Sequence, residues 1–167
     1  MIVCGTTIHP LQNHPLIGSK LILSPKIENP FEYAEHSKNG VLFILDDLFT
    51  EAVENNYVTQ TFTRGRHSNI SVIFITQNLF YSGKFARNIT LNASHFILMR
   101  NRDMSQIENI ERQIFGQKHN LVEVYKRALT YNKFGYLLID LSVNTPEELQ
   151  LSTNIVGETE YQVVFNP

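Results

Sequence analysis

The sequence predicts an α/β fold with a mainly parallel sheet. Two observations carry this. Short runs dominated by apolar residues at 41–45, 70–75 and 135–141 read as strands buried on both faces. Segments with helical apolar spacing lie between them, and alternation of strand and helix is the signature of this class. In such sheets ligands bind beyond the carboxyl ends of the strands. The residues that follow each run are therefore where chemistry is sought first.

Met1 to Cys4 reads as a first strand. The stretch up to Gly40 contains Pro10, Pro15, Pro25 and Pro30, which disfavour long helices, so only a short extended piece at 21–23 and a helical turn at 32–36 are expected there. Leu48, Phe49, Ala52, Val53 and Tyr57 lie at helical spacing and predict one helix over 48–63. A short helix is expected over 84–91 and a strand over 95–99. Two helices follow, over 104–115 (with the stripe Ile107, Ile110, Ile114) and over 117–131 (with Leu121, Val124, Tyr125, Ala128 and Leu129). After Asn144 the pattern fades, and 158–165 reads as an edge strand or as disordered.

The chain has 167 residues, which suits a single domain spanning 1–167. No apolar run reaches the roughly 18 residues that would span a bilayer, so no membrane partner is expected. The start lacks the basic and apolar regions of a signal peptide. The single cysteine, Cys4, excludes an internal disulfide; together these features lead us to expect an intracellular, non-secreted protein. Cys4 sits in an apolar run and reads as a buried small residue. The six histidines show no metal-ligand spacing. The Tyr and Phe residues fall mostly on apolar positions and read as core, not as a platform for stacking bases. The net charge is −2, but residues 55–102 contain no Asp or Glu while carrying Arg64, Arg66, Lys84, Arg87, Arg100 and Arg102. A one-signed segment suits a polyanion; on composition alone a solvated basic face is the slightly better explanation.

Asp46 and Asp47 follow the apolar run directly. An acid at the carboxyl end of a buried parallel strand faces the ligand crevice. In P-loop ATPases the first such acid holds Mg2+ through water, and the next acts on the attacking water. A cap for the following helix is the simpler alternative for Asp47. The next strand ends in Thr76-Gln77. A glutamine amide both donates and accepts, so it can hold water and phosphate together; opening a loop is its alternative role. Arg87 is the first candidate for an arginine acting on a nucleotide held by a neighbouring subunit, and Arg64 the second. Lys84, Arg87, Arg100 and Arg102 are candidates for DNA phosphate. The phosphate-loop pattern G-x-x-x-x-G-K-[ST] does not occur in the sequence.

In order, residues 41–48, the run 62–80 (FTRGRHSNISVIFITQNLF), Gly83-Lys-Phe-Ala-Arg87, Leu91-Asn92, Arg100-Asn-Arg-Asp103, Gln106-Ile107 and 134–141 resemble the genome-packaging ATPases of Maverick/Polinton elements and related double-stranded DNA viruses. These belong to the FtsK–HerA superfamily, which includes the poxvirus-type packaging ATPases. The resemblance covers about residues 40 to 156. It implies a RecA-like, additional-strand P-loop NTPase in three layers that forms rings, uses ATP and Mg2+, and translocates double-stranded DNA into a capsid, with capsid or portal components as further partners. By motif, Asp46 is the magnesium-side acid, Asp47 the catalytic acid (a position where many relatives carry Glu) and Thr76-Gln77 the sensor.

Relatives also have a strand and a phosphate loop (Walker A) upstream of Met1, that strand being expected beside the 41–46 strand (Walker B). The chain is accordingly expected to be an N-terminally truncated ATPase domain: an irregular segment over 1–40, a Walker B and sensor core over 41–141 and a tail over 142–167. A fragment, a decayed copy and a partner-completed subunit are the three explanations, in that order. The competing function is a non-catalytic remnant that binds DNA or a partner.

Overall fold

A computed structural model describes residues 1–5, 21–78, 85–116, 120–131, 133–155 and 161–165. They form two compact units, Met1–Asn92 and Ala93–Pro167, a division that falls inside the segment expected as one core.

The first unit is built on a parallel sheet of four strands in the order β2-β1-β3-β4: β1 (Ile2–Gly5), β2 (Ile22–Ser24), β3 (Val41–Asp46) and β4 (Ile70–Ile75). β3 pairs with β1 through Ile2↔Phe43 to Gly5↔Asp46, and with β4 through Val41↔Ile70 to Asp46↔Ile75. Side chains alternate across a sheet, so Ile2, Cys4, Val41, Phe43, Leu45 and Ile70 share one face. That face is the core, joined by Leu48, Ala52, Val53, Val58, Ala86 and Ile89 from the helices. Burial of Cys4 pushes its thiol pKa up, which fits an inert core residue. β4 departs from the expected strand buried on both faces, because Ser71, Ile73 and Ile75 are exposed.

Among the described residues, four α-helices belong to this unit. α1 (Pro30–Glu35) carries Pro at its first position and is capped by the Asn29 side chain, which accepts from Phe31 N at 3.2 Å. The single helix expected over 48–63 is two: α2 (Phe49–Glu54) and α3 (Asn56–Arg64). Asn55 breaks them. Its backbone is extended (φ −93, ψ 124), and its Oδ1 accepts from Tyr57 N at 2.8 Å and Val58 N at 3.3 Å. A side chain that offers the next turn its acceptor starts a new helix instead of continuing the old one. The restart changes the phase, so Val58 is buried while Tyr57, expected on the apolar stripe, is 44% exposed. α4 (Ala86–Asn92) packs on α3 and α2. Gly40 has φ +80, and a Cβ there would lie 2.5 Å from the Asn69 carbonyl oxygen. Asn69 itself is left-handed (φ 54) and its carbonyl accepts from Val41 N at 3.0 Å, so this contact aligns the starts of β3 and β4.

The second unit is antiparallel, so the parallel sheet expected from the alternation is confined to the first. β5 (His95–Met99), β6 (Tyr136–Asp140), β7 (Leu151–Thr153) and β8 (Val163–Val164) lie in sequence order. β6 is buried on one face only, through Leu137 and Ile139. The helices are α5 (Met104–Ile110), which widens into a π turn at Glu111–Phe115, and α6 (Leu121–Ala128). Tyr125 is buried and donates through its hydroxyl to Met99 O at 2.8 Å, while the same oxygen accepts from Asn101 N at 2.8 Å. β7 lies in the tail whose pattern was unreadable.

Asp140 ends β6 and fastens the turn after it. Burial alone would raise its pKa, but donors from Ser142 and Thr145 and the nearby His95 outweigh that and lower it. Ser142 N donates to Oδ1 at 2.8 Å, Thr145 Oγ1 to Oδ2 at 2.9 Å, and His95 Nε2 lies 3.3 Å from Oδ1.

Two outcomes are expected. Gly40→Ala destabilises by more than about 2 kcal/mol, because a left-handed backbone and a backbone clash add; urea denaturation measures it. Asp140→Asn destabilises at neutral pH. Since the folded carboxyl pKa is lowered, its contribution is present above the ordinary value of 3.8 and is lost as pH falls through the lowered one. The stability gap between parent and variant therefore closes below that pH, as a pH series of denaturation curves will measure.

Candidate functional site

The carboxyl ends of β3 and β4 meet in register. Asp46 is the last residue of β3, opposite Gly5 on one side and Ile75 on the other. The next residues outward are Asp47 and Thr76, so the acidic pair and the Thr76-Gln77 pair emerge on adjacent strands. A Cβ on Gly5 would stand 3.1 Å from the Asp46 carbonyl oxygen, so glycine suits the close packing beside Asp46. Sequence reading missed Gly5, because only the pairing of β1 with β3 brings it there.

Asp47 is left-handed, with φ 56. Asp tolerates this region better than most residues, but a left-handed side chain still carries a cost of order 1 kcal/mol. The turn has a structural result: Asp47 is exposed while Leu48, the next residue, is buried in the core at 4% exposure. Capping does not explain Asp47. The cap residue of α2 is Leu48, and no side chain makes the cap hydrogen bond. Among the described residues, no ion pair or hydrogen bond engages the carboxylate of Asp46 or Asp47.

Thr76 Oγ1 donates to Asn78 O at 2.9 Å and accepts from Asn78 N at 3.2 Å, which curls the chain just after β4. Gln77 is exposed on that curl. The arrangement brings four candidates, Asp46, Asp47, Thr76 and Gln77, to one end of one sheet.

The basic candidates are dispersed. Arg87 is exposed on α4. Arg64 ends α3, and the 3-10 turn Gly65–Ser68 then leads into β4. It therefore sits where the strands begin, the opposite end from Asp46, about 17 Å away at ~3.3 Å per residue. That separation rules out an Arg64 contact to the same site within one chain. Arg100 and Arg102 are exposed in the second unit, directly after β5. Lys84 lies outside the described residues.

The donor set fits magnesium in the form a nucleotide brings. Mg2+ takes one or two carboxylates and fills its shell with phosphate and water, and two unpaired acids at a strand end suit that. Among the described residues no cluster of three or more His, Cys, Asp or Glu could hold a metal by itself. The expected neighbour strand needs correction. Both sides of β3 are taken, by β1 and β4, so an upstream strand has no place beside it; among the described residues the edge strands of this sheet are β2 and β4.

The conformation of Asp47 gives a test that separates fold from chemistry. Asp47→Gly is expected to leave stability unchanged or raise it by up to about 1 kcal/mol, as glycine adopts φ 56 freely. Asp47→Val, β-branched in the same place, is expected to lower it. Thermal melting of both variants checks the sign.

Comparison with solved structures finds the genome packaging NTPase B204 from Sulfolobus turreted icosahedral virus 2, solved in complex with AMP. The match has a TM-score of 0.57 at 15% identity and covers 84% of this chain and 76% of that one. At that identity the likeness speaks for the α/β fold of a packaging NTPase and not for its ligands. Comparison with curated protein sequences gives no significant match. The family model of the poxvirus A32 protein matches residues 12–163, nearly the whole chain, and the chain therefore belongs to the poxvirus A32 protein family.

Proposed function

We propose that this chain carries the acidic and sensor half of the ATP site of a DNA-packaging motor. The observation that supports it is the register of β3 with β4, which sets Asp46-Asp47 beside Thr76-Gln77 at the carboxyl end of a parallel sheet. Asp46 would hold the Mg2+ of ATP through water. Asp47 would take the proton of the attacking water, with its carboxylate unpaired and exposed for that purpose. The Gln77 amide would orient that water by donating and accepting at once. ATP supplies the phosphoryl group that is transferred. Copies would assemble as a ring around double-stranded DNA, where Arg87 and, from its far end of the sheet, Arg64 are candidates to reach a neighbour's nucleotide. Lys84, Arg87, Arg100 and Arg102 are the candidates for DNA phosphate, and capsid or portal components the further partners.

The phosphate cradle falls to another segment in this reading. The sequence contains no G-x-x-x-x-G-K-[ST]. β4 supports an added strand. It is six residues long, has no Pro or charge, and exposes Ile73 and Ile75 at 47% each. Natural sheet edges are shortened, charged or covered, as β2 is at the other edge with three residues and Pro25 following closely. A parallel strand added beside β4 would run its own carboxyl end toward Asp46 and Thr76, where a phosphate loop is needed.

Purified chain 1–167 is accordingly expected to show no Mg2+-dependent ATP hydrolysis above background and only weak nucleotide binding, by phosphate release and by calorimetry. Turnover that requires Mg2+ and disappears in Asp47→Ala would refute the incomplete-site reading while keeping Asp47 catalytic. In a complemented or longer form that does turn over, Asp47→Asn is expected to reduce kcat by a factor of about 100 or more.

A further inference from the structure

A groove lies between α1 and α3 and runs along α3 from Tyr57 near its start to Arg64 at its end. Its volume is about 490 Å3, within the range of ligand pockets. Phe31 lines one side; Tyr57, Gln60, Arg64 and His67 line the other. The sequence assigned the aromatic residues to the core. The Asn55 break overturns that for Tyr57, which stands 44% exposed in this groove.

Arg64 is held in place. Its guanidinium lies 5.4 Å from the Phe31 ring centroid, and Nη2 donates to Gln60 Oε1. A guanidinium stacked on a ring keeps its in-plane N–H edge for an acceptor and loses little entropy in binding one. His67 adds an imidazole, and Ser68 a hydroxyl. Among the described residues the one acid lining the groove is Glu35, and the sequence of 55–102, which supplies the other wall, contains none.

We propose that this groove binds one nucleotide of single-stranded nucleic acid, with its base stacked on Tyr57 and its phosphate at Arg64 and His67. An exposed aromatic beside a fixed cation is the chemistry of strand-tracking sites. A duplex keeps its bases stacked inside and offers nothing to Tyr57. An acidic peptide would bring carboxylates against Glu35, whereas a base, thymine included, can donate a ring or amino N–H to that same carboxylate. The described residues lining the groove include none of Asp46, Asp47, Thr76 and Gln77; Arg64 is the one residue it shares with the candidates named above, and Tyr57→Leu tests the groove apart from them.

The probe is a fluorescein-labelled oligothymidine of about twelve nucleotides, enough for one site of this kind, titrated with the full chain and read by anisotropy. Tyr57→Leu is expected to weaken binding at least about fivefold. Arg64→Gln is expected to weaken it and to reduce the slope of log K against log salt by about 0.7. The chain has no tryptophan, so Tyr57→Trp installs a single reporter whose emission the oligonucleotide should quench. That reporter keeps the test valid if Tyr57→Leu fails to fold. Absence of binding, binding unchanged in both Tyr57→Leu and Arg64→Gln, or equal binding of a duplex of the same length would overturn the proposal. So would quenching by an oligoglutamate peptide but not by the oligonucleotide.

Discussion

The pairing of β3 on both sides is the constraint from which the first unit follows. β3 is bonded in parallel to β1 and to β4, and the residues on its core face, Val41, Phe43 and Leu45, are buried. A strand so enclosed has fixed register, because a slip of one residue would turn the core side chains to the opposite face. Fixed register holds Asp46 level with Ile75 and the two polar pairs on neighbouring strand ends. Parallel direction makes those ends point the same way. The same order explains why basic residues that precede β4 in sequence, Arg64 among them, stand at the far end: the chain must return along α3 before it can start a parallel strand.

Two local departures from regular structure shape what the sheet presents. The left-handed Asp47 lets the chain leave the strand with its carboxylate outward and return Leu48 to the core in one step. Asn55 ends one helix and caps the next, and that rotation sends Tyr57 outward while Val58 goes inward. Each departure uses a residue type suited to it, since Asp and Asn tolerate the left-handed region and offer short side-chain acceptors. Both sit beside surfaces argued to bind a ligand, and the regular stretches of α3 and β3 serve as their frame.

The second unit holds together by different means. Its strands follow one another antiparallel; β5 and β6 are buried on one face, whereas all three residues of β7 are buried. Polar bonds finish the ends: Tyr125 ties α6 to Met99 at the end of β5 and to Asn101 after it, and Asp140 closes the turn after β6. The carboxylate of Asp140 accepts several donors while partly removed from water, which is why its proton is held less tightly than usual.

Sequence alone determined the α/β class, most strand positions to within a residue or two, and the polar pairs Asp46-Asp47 and Thr76-Gln77 that end two of the strands, because a buried strand announces itself by a run of apolar residues and its end by the abrupt change to polar ones. The ordered motifs also carried the likeness to packaging ATPases, which the A32 family match bears out. Tertiary structure alone decided the rest. Periodicity cannot report pairing direction, so the antiparallel second sheet was invisible, as was β7, too short at three residues to show a period. It cannot report which strand neighbours which, so an upstream strand was expected beside β3, whose two neighbours are β1 and β4. A helical apolar stripe reads straight through Asn55, since only the extended backbone there reveals the break that exposes Tyr57. The identity and order of Asp46 and Asp47 were written in the chain, whereas their nearness to Thr76 and distance from Arg64 depend on parallel pairing between segments some thirty residues apart in sequence.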